Sequence, residues 1–483
     1  MTATVPVEVH DDVYVDGRWV PSSSGARIDA IDPATEEVHA RVPDGDAADV
    51  DRAVAAARRA FPDWSGTPAA ERAATLLRFA DEFERRTESL SALLTRENGS
   101  TVTETGAAAA HASATLRYYA GLTDLLEDEI RPFPRGPFES VVRRLPAGVA
   151  GLVTPWNYPL ALVMTKLAPA LMAGCATVVK PAPETSLHVR PLIEAAEAAG
   201  IPAGVINVVT GGGATGAALV EHGGVDKIAF TGSTRTGRAI GARCGELLRS
   251  VTLELGGKSA AVLLDDVDLE LLARSVVRLS LRNSGQTCYN CTRVLVPASR
   301  YAEITDVIVD AVRAARVGEP TDPTTVFGPV VSQRQRERIE GYIELGTRQG
   351  ARLLTGGGRP AGLDRGWYVE PTVFGDVGPD MRIAREEIFG PVLSVLPYTD
   401  VDDAVRIAND SDYGLAGAVL GVDEERAEQV ARRIETGNVG VNFYSSNYAA
   451  PFAGRKDSGV GVEFGPEGMF SYQVFQSVHR KAR

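Results

Sequence analysis

The feature that most constrains the fold is a regular alternation of β-rich runs and helical stretches between residues 148 and 265. The β-rich runs read GVAGLVTPW, ATVVKPA, GVINVVTGG, DKIAFTGS, VTLELGG and SAAVLLDD, and stretches such as LHVRPLIEAAEAAG separate them. Strands that alternate with helices at this spacing form a parallel sheet with helices on both faces. The sequence therefore predicts an α/β fold with a doubly wound parallel sheet, whose ligands bind at the carboxyl ends of the strands.

A second alternating region follows Asp265 and predicts a second α/β domain. Its expected elements are helices near 268–281, 299–316, 332–347 and 424–436 and strands near 293–296 and 392–398. At 483 residues the chain is long enough for two or more domains, each with its own core.

Segments outside these two regions complete the predicted architecture. Residues 47–62 and 69–96 have the periodicity of helices that cover a sheet. Near 131–149 a proline-rich stretch gives way to an extended segment, which predicts a protruding strand. The tail SYQVFQSVHRKAR is also extended and has no core of its own, so it predicts an interface strand.

Charge and terminal composition limit the classes of partner. The 50 Lys and Arg residues against 63 Asp and Glu residues give a net charge of −13, and no basic run is long enough to follow a phosphate backbone. The first residues, MTATVPVEVHDD, lack the features of a signal peptide. The most apolar stretch, 159–179, contains Lys166 and Pro169, which favours a buried helix and strand over a membrane span. We therefore expect a cytoplasmic protein without nucleic-acid or membrane partners.

The run NSGQTCYNC contains Cys288 and Cys291 in a C-x-x-C spacing. Metal binding is not expected, because the six histidines stand singly and far apart. A redox dithiol is disfavoured because the strand-like run TRVLV follows. Cys288 follows a Gly-Gln-Thr sequence in a predicted loop, where a partly exposed thiol can act as a nucleophile, although a buried inert thiol is the alternative.

Two glycine loops compete as the phosphate-binding element. TGGGATG, from Thr210 to Gly216, matches the dinucleotide fingerprint, but it lacks the acidic residue expected about twenty positions later, so a plain turn is favoured. The next loop, 231–234, joins a strand to a helix whose amino end could meet a phosphate. Its alternative interpretation is an ordinary helix cap.

Two polar residues stand in otherwise apolar or rigid surroundings. Glu254 interrupts the strand VTLELGG, where a carboxylate must face a pocket or pair with a cation. Asn157 lies in the turn TPWNYP, where its amide could stabilise an oxyanion or cap the turn.

Taken in order, TPWNYP, VVKPA, FTGSTRTG, LELGGKS, NSGQTC, EEIFGPV and PFAGRKDSGVG resemble the aldehyde dehydrogenase superfamily. The motifs span about 140–465, and the length and layout extend the resemblance to the whole chain. The resemblance implies a Rossmann-like cofactor domain over 1–122 and 147–256 and a catalytic domain over 257–440. It also implies a small β bridging segment over 123–146 and 466–483, and a substrate-mouth loop over 441–465.

By the same resemblance, Cys288 is the nucleophile that attacks an aldehyde carbonyl. Asn157 and the Cys288 backbone N–H stabilise the oxyanion, Glu254 activates the water that hydrolyses the thioester, and Lys166 assists proton movement. Cys291 is expected to be a bystander. The hydrolytic branch of the superfamily is favoured over the acylating branch, which generally lacks the glutamate at position 254.

The resemblance implies NAD as the cofactor, with NADP as the alternative. Lys180 corresponds to the contact to the adenosine ribose, Ser233 to the pyrophosphate contact, and Glu387 to the nicotinamide-ribose contact, while Phe389 flanks the nicotinamide. Thr154, Trp156, Gly232 and Gly256 complete the expected cofactor site. Pro183 stands where the family often has a glutamate that favours NAD, so the preference for NAD over NADP is weakened.

The resemblance also implies that Tyr158, Leu162, Thr165, Tyr289 and the loop NFYSSNYAA line the substrate tunnel. Because no arginine or lysine is expected there, the sequence predicts an uncharged aliphatic or aromatic aldehyde. Alternatives are a cysteine esterase that needs no cofactor and a catalytically silent relative. The resemblance also implies a homodimer or homotetramer.

Overall fold

The computed structural model of the chain describes residues 7–482. Its strands, in chain order, are β1 Glu8–Val9, β2 Asp12–Val15, β3 Arg18–Pro21, β4 Arg27–Ile31, β5 Val38–Pro43, β6 Glu129–Pro132, β7 Phe138–Pro146, β8 Val149–Val153, β9 Ala176–Lys180, β10 Ile206–Val208, β11 Lys227–Thr231, β12 Ser250–Glu254, β13 Ala260–Leu263, β14 Arg293–Pro297, β15 Arg352–Thr355, β16 Thr372–Gly375, β17 Val392–Tyr398, β18 Tyr413–Gly414, β19 Ala416–Leu420, β20 Asn438–Val441, β21 Arg455–Lys456, β22 Gly459–Val460 and β23 Gln473–Lys481.

The helices, in the same order, are α1 Ala47–Gly66, α2 Ala69–Glu84, α3 Thr87–Asn98, α4 Val102–Thr105, α5 Ala108–Ala120, α6 Pro159–Ala173, α7 Val189–Ala198, α8 Gly213–Glu221, α9 Thr234–Glu246, α10 Leu269–Ser280, α11 Tyr301–Ala314, α12 Gln333–Arg348, α13 Arg382–Arg385, α14 Val401–Asn409, α15 Glu424–Ala431 and α16 Gly465–Phe470. Short 3₁₀ helices cover Thr123–Leu126 and Ala298–Arg300.

The first large sheet has the strand order β22-β12-β11-β8-β9-β10-β2-β3. Its five central strands, β12 to β10 in that order, run parallel. Alternate residues of β8 belong to two different cores, Val149 and Val153 to one and Ala150 and Leu152 to the other, because successive side chains of a strand point to opposite faces. The predicted doubly wound α/β fold is confirmed.

The chain order of this sheet reverses between β8 and β11, since β9 and β10 extend it in one direction and β11 and β12 in the other. Such a reversal leaves a crevice beyond the carboxyl ends of the two strands, where α/β proteins bind their ligands. The loops that follow β8 and β11 are therefore placed beside this crevice.

The second large sheet has the order β15-β16-β17-β14-β13-β19-β20 and is parallel except for β15. The run SAAVLLDD, read above with the strands of the first sheet, forms β13 and lies near the centre of the second sheet instead. Its apolar sequence suits a strand buried on both faces in either sheet, so local pattern could not assign its partner. The predicted helix near 424–436 ends earlier, at Ala431.

A third sheet, with the order β23-β7-β6, is antiparallel and joins the tail of the chain to residues 129–146. It carries exposed apolar side chains, including Ile130, Val474 and Phe475. Two small sheets, β1-β5-β4 and β18-β21, complete the fold.

Two further predictions concern helices. The apolar stretch 159–179 forms α6 and β9, both almost entirely buried. Residues 69–96 form two helices, α2 and α3, that are interrupted at Arg85 and Arg86, although the apolar periodicity continues across the break. Among residues 7–482, no helix combines the length and the apolar character needed to cross a membrane.

Candidate active site

Cys288 lies in the loop between α10 and β14, and the backbone that precedes it is unusual. Asn283, Ser284 and Gly285 all have positive φ angles, of 53°, 53° and 76°. A Cβ atom at residue 285 would overlap the backbone carbonyl of Gly390, so only glycine fits this position. Left-handed residues in succession are costly and persist where the surroundings hold them, which is common beside reactive groups.

Hydrogen bonds to Asn157 hold this loop in place. The Asn157 side-chain amide donates to the Gln286 carbonyl at 3.0 Å, and the Asn283 amide donates to the Asn157 carbonyl at 3.0 Å. Ser100 Oγ in turn donates to Asn283 Oδ1 at 2.6 Å. The turn after β8 and the loop of Cys288 are therefore joined directly, which brings together two of the predicted catalytic residues.

One cavity of about 280 Å³ unites the predicted catalytic and substrate residues. Cys288, Asn157 and Glu254 line it. The four predicted tunnel residues line it as well, namely Tyr158, Leu162, Thr165 and Tyr289. Of the loop NFYSSNYAA, Ser445 and Ser446 reach the cavity.

The two cysteines of the C-x-x-C pair have different surroundings. Cys288 is partly exposed and faces the cavity, whereas Cys291 is fully buried in the apolar core beside β14. Burial, together with the carboxylates of Glu387 and Glu254, raises the pKa of the Cys288 thiol well above its usual range. Burial raises the pKa of Cys291 to about 12. Both sulfurs are therefore held as thiols, and only Cys288 faces space that a substrate could occupy.

Glu254 ends β12 and is almost fully buried, and neither of its carboxylate oxygens has a hydrogen-bond partner. Burial and the neighbouring Glu463 raise its pKa well above the usual range, although Lys166 opposes the shift. Lys166 Nζ lies 2.7 Å from Glu463 Oε1 and donates to Thr231 Oγ1 at 2.6 Å. An unpaired buried carboxyl next to an ion pair can exchange a proton near neutral pH, as a general base requires.

The cavity has a polar wall that the sequence did not predict. Arg282 and Glu104 form an ion pair with a 2.9 Å separation, and both line the cavity. This corrects the expectation that no arginine would occur there. Arg282 Nη1 also donates to the Tyr289 hydroxyl at 3.1 Å. Sequence reasoning missed this pair because its members are 178 residues apart and belong to none of the motifs.

The residues predicted to bind a dinucleotide gather at the crevice of the first sheet. Ser233 immediately precedes α9, and its hydroxyl accepts a hydrogen bond from the Thr236 N–H at 3.4 Å, so it caps a helix whose amino end is suited to phosphate. Thr154, just after β8, has a buried hydroxyl with no hydrogen-bond partner. Gly232 N–H donates to the Glu254 carbonyl at 3.0 Å, which links the loop 231–234 to the strand of the candidate base.

Lys180 is the last residue of β9 and is buried at the carboxyl end of that strand, as the crevice requires. Its ammonium donates to the carbonyls of Pro181 and Gly211 at 2.7 and 2.6 Å, and burial lowers its pKa to about 8. The TGGGATG run, predicted to be a plain turn, leads directly into α8, which begins at Gly213. The Gly211 carbonyl in this run accepts a hydrogen bond from Lys180 and thus positions its ammonium group.

Glu387 and Phe389 approach the crevice from the loop between α13 and β17, a strand of the second large sheet. Glu387 Oε1 accepts a hydrogen bond from the Gly257 N–H at 3.0 Å, and a Cβ atom at Gly256 would lie within 2.5 Å of the Glu387 carboxylate. Phe389 has a φ of 62° and packs edge-on against Trp156, with ring centroids 5.3 Å apart. The predicted contacts to the nicotinamide end therefore lie beside the turn that carries Asn157.

The chain matches a family model and known proteins over nearly its whole length. A model described as the aldehyde dehydrogenase family matches residues 19–478. A geranial dehydrogenase of Castellaniella defragrans is 50% identical over 474 residues, which are 97% of this chain and 98% of that protein. A crystal structure of Mycobacterium tuberculosis aldehyde dehydrogenase complexed with NAD+ superposes with a TM-score of 0.95 at 44% identity, covering 98% of both chains. Betaine aldehyde dehydrogenase from Staphylococcus aureus in complex with NAD+ gives a TM-score of 0.95 at 36% identity, covering 98% of this chain and 95% of that one.

Proposed function

The chain belongs to the aldehyde dehydrogenase family, and we propose that it oxidises an uncharged aldehyde to the carboxylic acid with NAD as hydride acceptor. The observation that carries this proposal is the single cavity shared by Cys288, Asn157 and Glu254, which supply a nucleophile, an amide donor and a base. These three groups serve different steps of one reaction.

In the first step, the Cys288 sulfur attacks the aldehyde carbon and the carbonyl oxygen gains negative charge. The Asn157 amide, of which one hydrogen already binds the Gln286 carbonyl, has a second hydrogen for this oxygen, and the Cys288 backbone N–H supplies another donor. The thiol must lose its proton as the bond forms, because burial raises its pKa. Because Cys288 is partly exposed, this proton can pass to solvent, and Glu254 stays free to act as the base in the later hydrolysis.

In the second half of the reaction, the resulting thiohemiacetal becomes a thioester. Bound NAD would supply the chemistry for this by accepting a hydride. Glu254 then removes a proton from a water molecule, which attacks the thioester carbon and releases the carboxylic acid and the Cys288 thiol. Lys166 and Glu463 form an ion pair beside Glu254. This pair can carry away the proton that Glu254 has taken from water.

The residues at the crevice fit a dinucleotide. Ser233 and the amino end of α9 suit the pyrophosphate. The hydroxyl of Thr154, which has no hydrogen-bond partner, lies where the strand order of the sheet reverses. Lys180 is a buried cation at the carboxyl end of β9. Glu387 and Phe389 would hold and flank the nicotinamide end. Since Pro183 offers no carboxylate against a 2′-phosphate, NADP remains the alternative coenzyme.

The substrate proposal rests on the cavity and on one relative. Most of the cavity surface is apolar, and contributors to it include Leu94, Leu160, Leu162, Phe452 and Phe464. The geranial dehydrogenase that is 50% identical to this chain is named for an uncharged, hydrocarbon-rich aldehyde. When such a substrate binds, its apolar surface would leave water and contact the apolar surface of the cavity.

A cysteine esterase that needs no cofactor is the weaker candidate. Folding does bring His111 into the cavity, but its ring packs edge-on against Phe464 at 6.4 Å. Burial and the charge of Arg282 lower the pKa of His111. None of the hydrogen bonds among residues 7–482 joins a histidine to Cys288, so a Cys–His pair is not favoured. The presence of Cys288, Asn157 and Glu254 in one cavity likewise disfavours a silent relative.

The proposal is tested by incubating the purified protein with NAD or NADP and a panel of aldehydes, and by following the absorbance of the reduced nicotinamide. We expect reduction with uncharged aliphatic or aromatic aldehydes, and the corresponding acid as product by mass spectrometry. Absence of reduction with every aldehyde and both coenzymes would refute the proposal. Ester hydrolysis at full rate without coenzyme would instead support the esterase alternative.

Asn157→Ala is expected to lower kcat by about 10²–10³-fold, because the oxyanion loses a preorganised donor. The substitution also removes the hydrogen bond to the Gln286 carbonyl, so the melting temperature should be measured together with the kinetics. Asn157→Asp is the matched variant of nearly the same size, and a carboxylate there should be at least as harmful because it repels the oxyanion. Full activity of Asn157→Asp would show that residue 157 does not contact the reacting oxygen.

We also propose that the β23-β7-β6 sheet mediates assembly into a homodimer or homotetramer. Its outer strands have unpaired edges and exposed apolar side chains, with Phe475 71% exposed. Phe475→Glu is expected to reduce the molar mass measured by light scattering after size exclusion. Leu353→Glu, which changes an exposed leucine on the edge strand β15, should leave it unchanged. A monomeric parent protein would contradict this proposal.

A further inference from the structure

The polar wall of the cavity is built from one ion pair. Arg282 Nε lies 3.1 and 2.9 Å from the two Glu104 carboxylate oxygens, and Arg282 Nη2 lies 2.9 Å from Glu104 Oε2. The two side chains are 24% and 20% exposed. Because they are largely removed from water, the pair is held more strongly than an ordinary surface salt bridge.

This pair lies next to the reactive thiol. Arg282 Nη1 donates to the hydroxyl of Tyr289, and the guanidinium lies 5.7 Å from the centre of the Tyr158 ring. The Tyr158 hydroxyl in turn lies 2.9 Å from Thr287 Oγ1. Since residues 287 and 289 flank the nucleophile, this wall and Cys288 line the same cavity close to each other.

Arg282 has the chemistry of a carboxylate receptor, yet its guanidinium is already paired. A planar guanidinium binds a carboxylate through two parallel hydrogen bonds, and Glu104 engages it through both of its oxygens. The other basic groups of the lining do not replace it. Burial and Arg282 lower the pKa of His111, and Arg278 is exposed, so water and salt screen its charge.

Building on the aldehyde oxidation proposed above, we propose that Glu104 and Arg282 form a masked carboxylate subsite. Glu104 occupies the position that the carboxylate of an acidic aldehyde would take, so the cavity prefers uncharged aldehydes. The preference for uncharged aldehydes thus arises because Glu104 neutralises the charge of Arg282 within the cavity. It predicts that removal of the Glu104 charge alone makes the enzyme accept anionic aldehydes.

The native enzyme provides the first test. Adipate semialdehyde and its methyl ester have the same length, and only the free acid carries a charge; suberate semialdehyde and its methyl ester form a longer pair. We expect kcat/KM with NAD to be lower for each acid than for its ester by about tenfold or more, because Glu104 repels the acid and occupies its binding partner. If both acids react within about threefold of their esters, the cavity does not discriminate and the proposal is overturned.

Glu104→Gln provides the second test. The amide is close in size and retains a hydrogen-bond acceptor for Arg282, but it carries no charge. We expect the ratio of kcat/KM for acid over ester to rise by about tenfold or more, mainly through a lower KM for the acid. The double variant Glu104→Gln with Arg282→Gln should lose this gain, since it removes the guanidinium that would bind the acid as well as the carboxylate that occupies it.

Glu270→Gln is the matched control. It removes one negative charge from α10, the helix that precedes Arg282, and frees Arg274 on the solvent side of that helix, where the two side chains are 85% and 69% exposed. Its acid-to-ester ratio should equal that of the parent protein, and an equal rise there would show that overall charge, not this pair, governs the choice.

The outcomes separate this inference from the proposed function. If no aldehyde reduces NAD, aldehyde oxidation itself is refuted. If the esters react but Glu104→Gln, with a melting temperature near that of the parent, leaves the ratio unchanged, only the masked subsite is refuted. Should Glu104→Gln not fold, the native enzyme still provides a refutation, since acids that react within about threefold of their esters rule out the subsite.

Discussion

Cys288→Ala is expected to abolish aldehyde oxidation, with a fall in kcat of about 10⁴-fold or more. The substitution removes the only atom in the cavity proposed to bond the substrate carbon, and an alanine side chain fills less space, so folding should be retained. Steady-state reduction of NAD measures the effect. Binding of NAD, followed by fluorescence titration, should change little, because the proposed cofactor contacts come from other residues.

Cys291→Ala is the matched control for this experiment. Cys291 is buried in the core beside β14 and is not among the residues that line the cavity, so its loss should lower thermal stability without lowering kcat to a comparable extent. Aldehyde oxidation by Cys288→Ala at a rate near that of the parent would disprove covalent catalysis at this residue. An equal loss of kcat in both variants, with intact folding, would contradict the bystander role of Cys291.

Glu254→Gln is expected to lower steady-state turnover by about 10²–10⁴-fold while leaving the first turnover largely intact. The reason is that the proposed role of Glu254 is to activate water for hydrolysis of the thioester, which follows the redox step. Rapid mixing should therefore show a burst of reduced nicotinamide close to one equivalent of enzyme, and intact-protein mass spectrometry should detect acylated Cys288. A slow first turnover without acyl-enzyme would contradict this assignment and place Glu254 in the activation of the thiol.

The pH dependence of deacylation follows from the same carboxyl group. A general base must be ionised, and burial and Glu463 raise the pKa of Glu254 well above that of an ordinary glutamate. Deacylation should therefore slow as pH falls through this raised pKa and should reach a plateau above it. The plot of deacylation rate against pH for Glu254→Gln should lack this step. Its loss would distinguish the titration of Glu254 from the titration of other groups in the protein.

Residues that lie in local motifs could be predicted from the sequence. Cys288, Glu254 and Asn157 each stand in a short segment whose turn, strand or glycine spacing limits the local backbone, and the structure places all three around one cavity. The parallel sheets were predictable for the same reason, because strand and helix periodicities are local. Which residues truly catalyse the reaction stays a prediction until the variants are measured.

Residues that act through long-range contacts could not be predicted. Glu463 is expected to influence the base at position 254, but nothing in its own neighbourhood in the sequence indicates that it approaches Lys166. Glu104 in α4 and Arg282 are likewise brought together only by the tertiary fold, since they are 178 residues apart in the sequence. In the same way, the apolar run of β13 suits either sheet, and only the global chain path decides between them.

The C-terminal segment connects the reaction chemistry to the outermost sheet within a few residues. Glu463 contacts Lys166, helix α16 follows, and β23 begins at Gln473 and pairs with β7 along its whole length. A truncation or an affinity tag at this end would therefore disturb β23 first and could propagate through α16 to the environment of Glu254. Preparations that differ only in their C-terminal fusion should be compared for specific activity before any kinetic constants are assigned to the native chain.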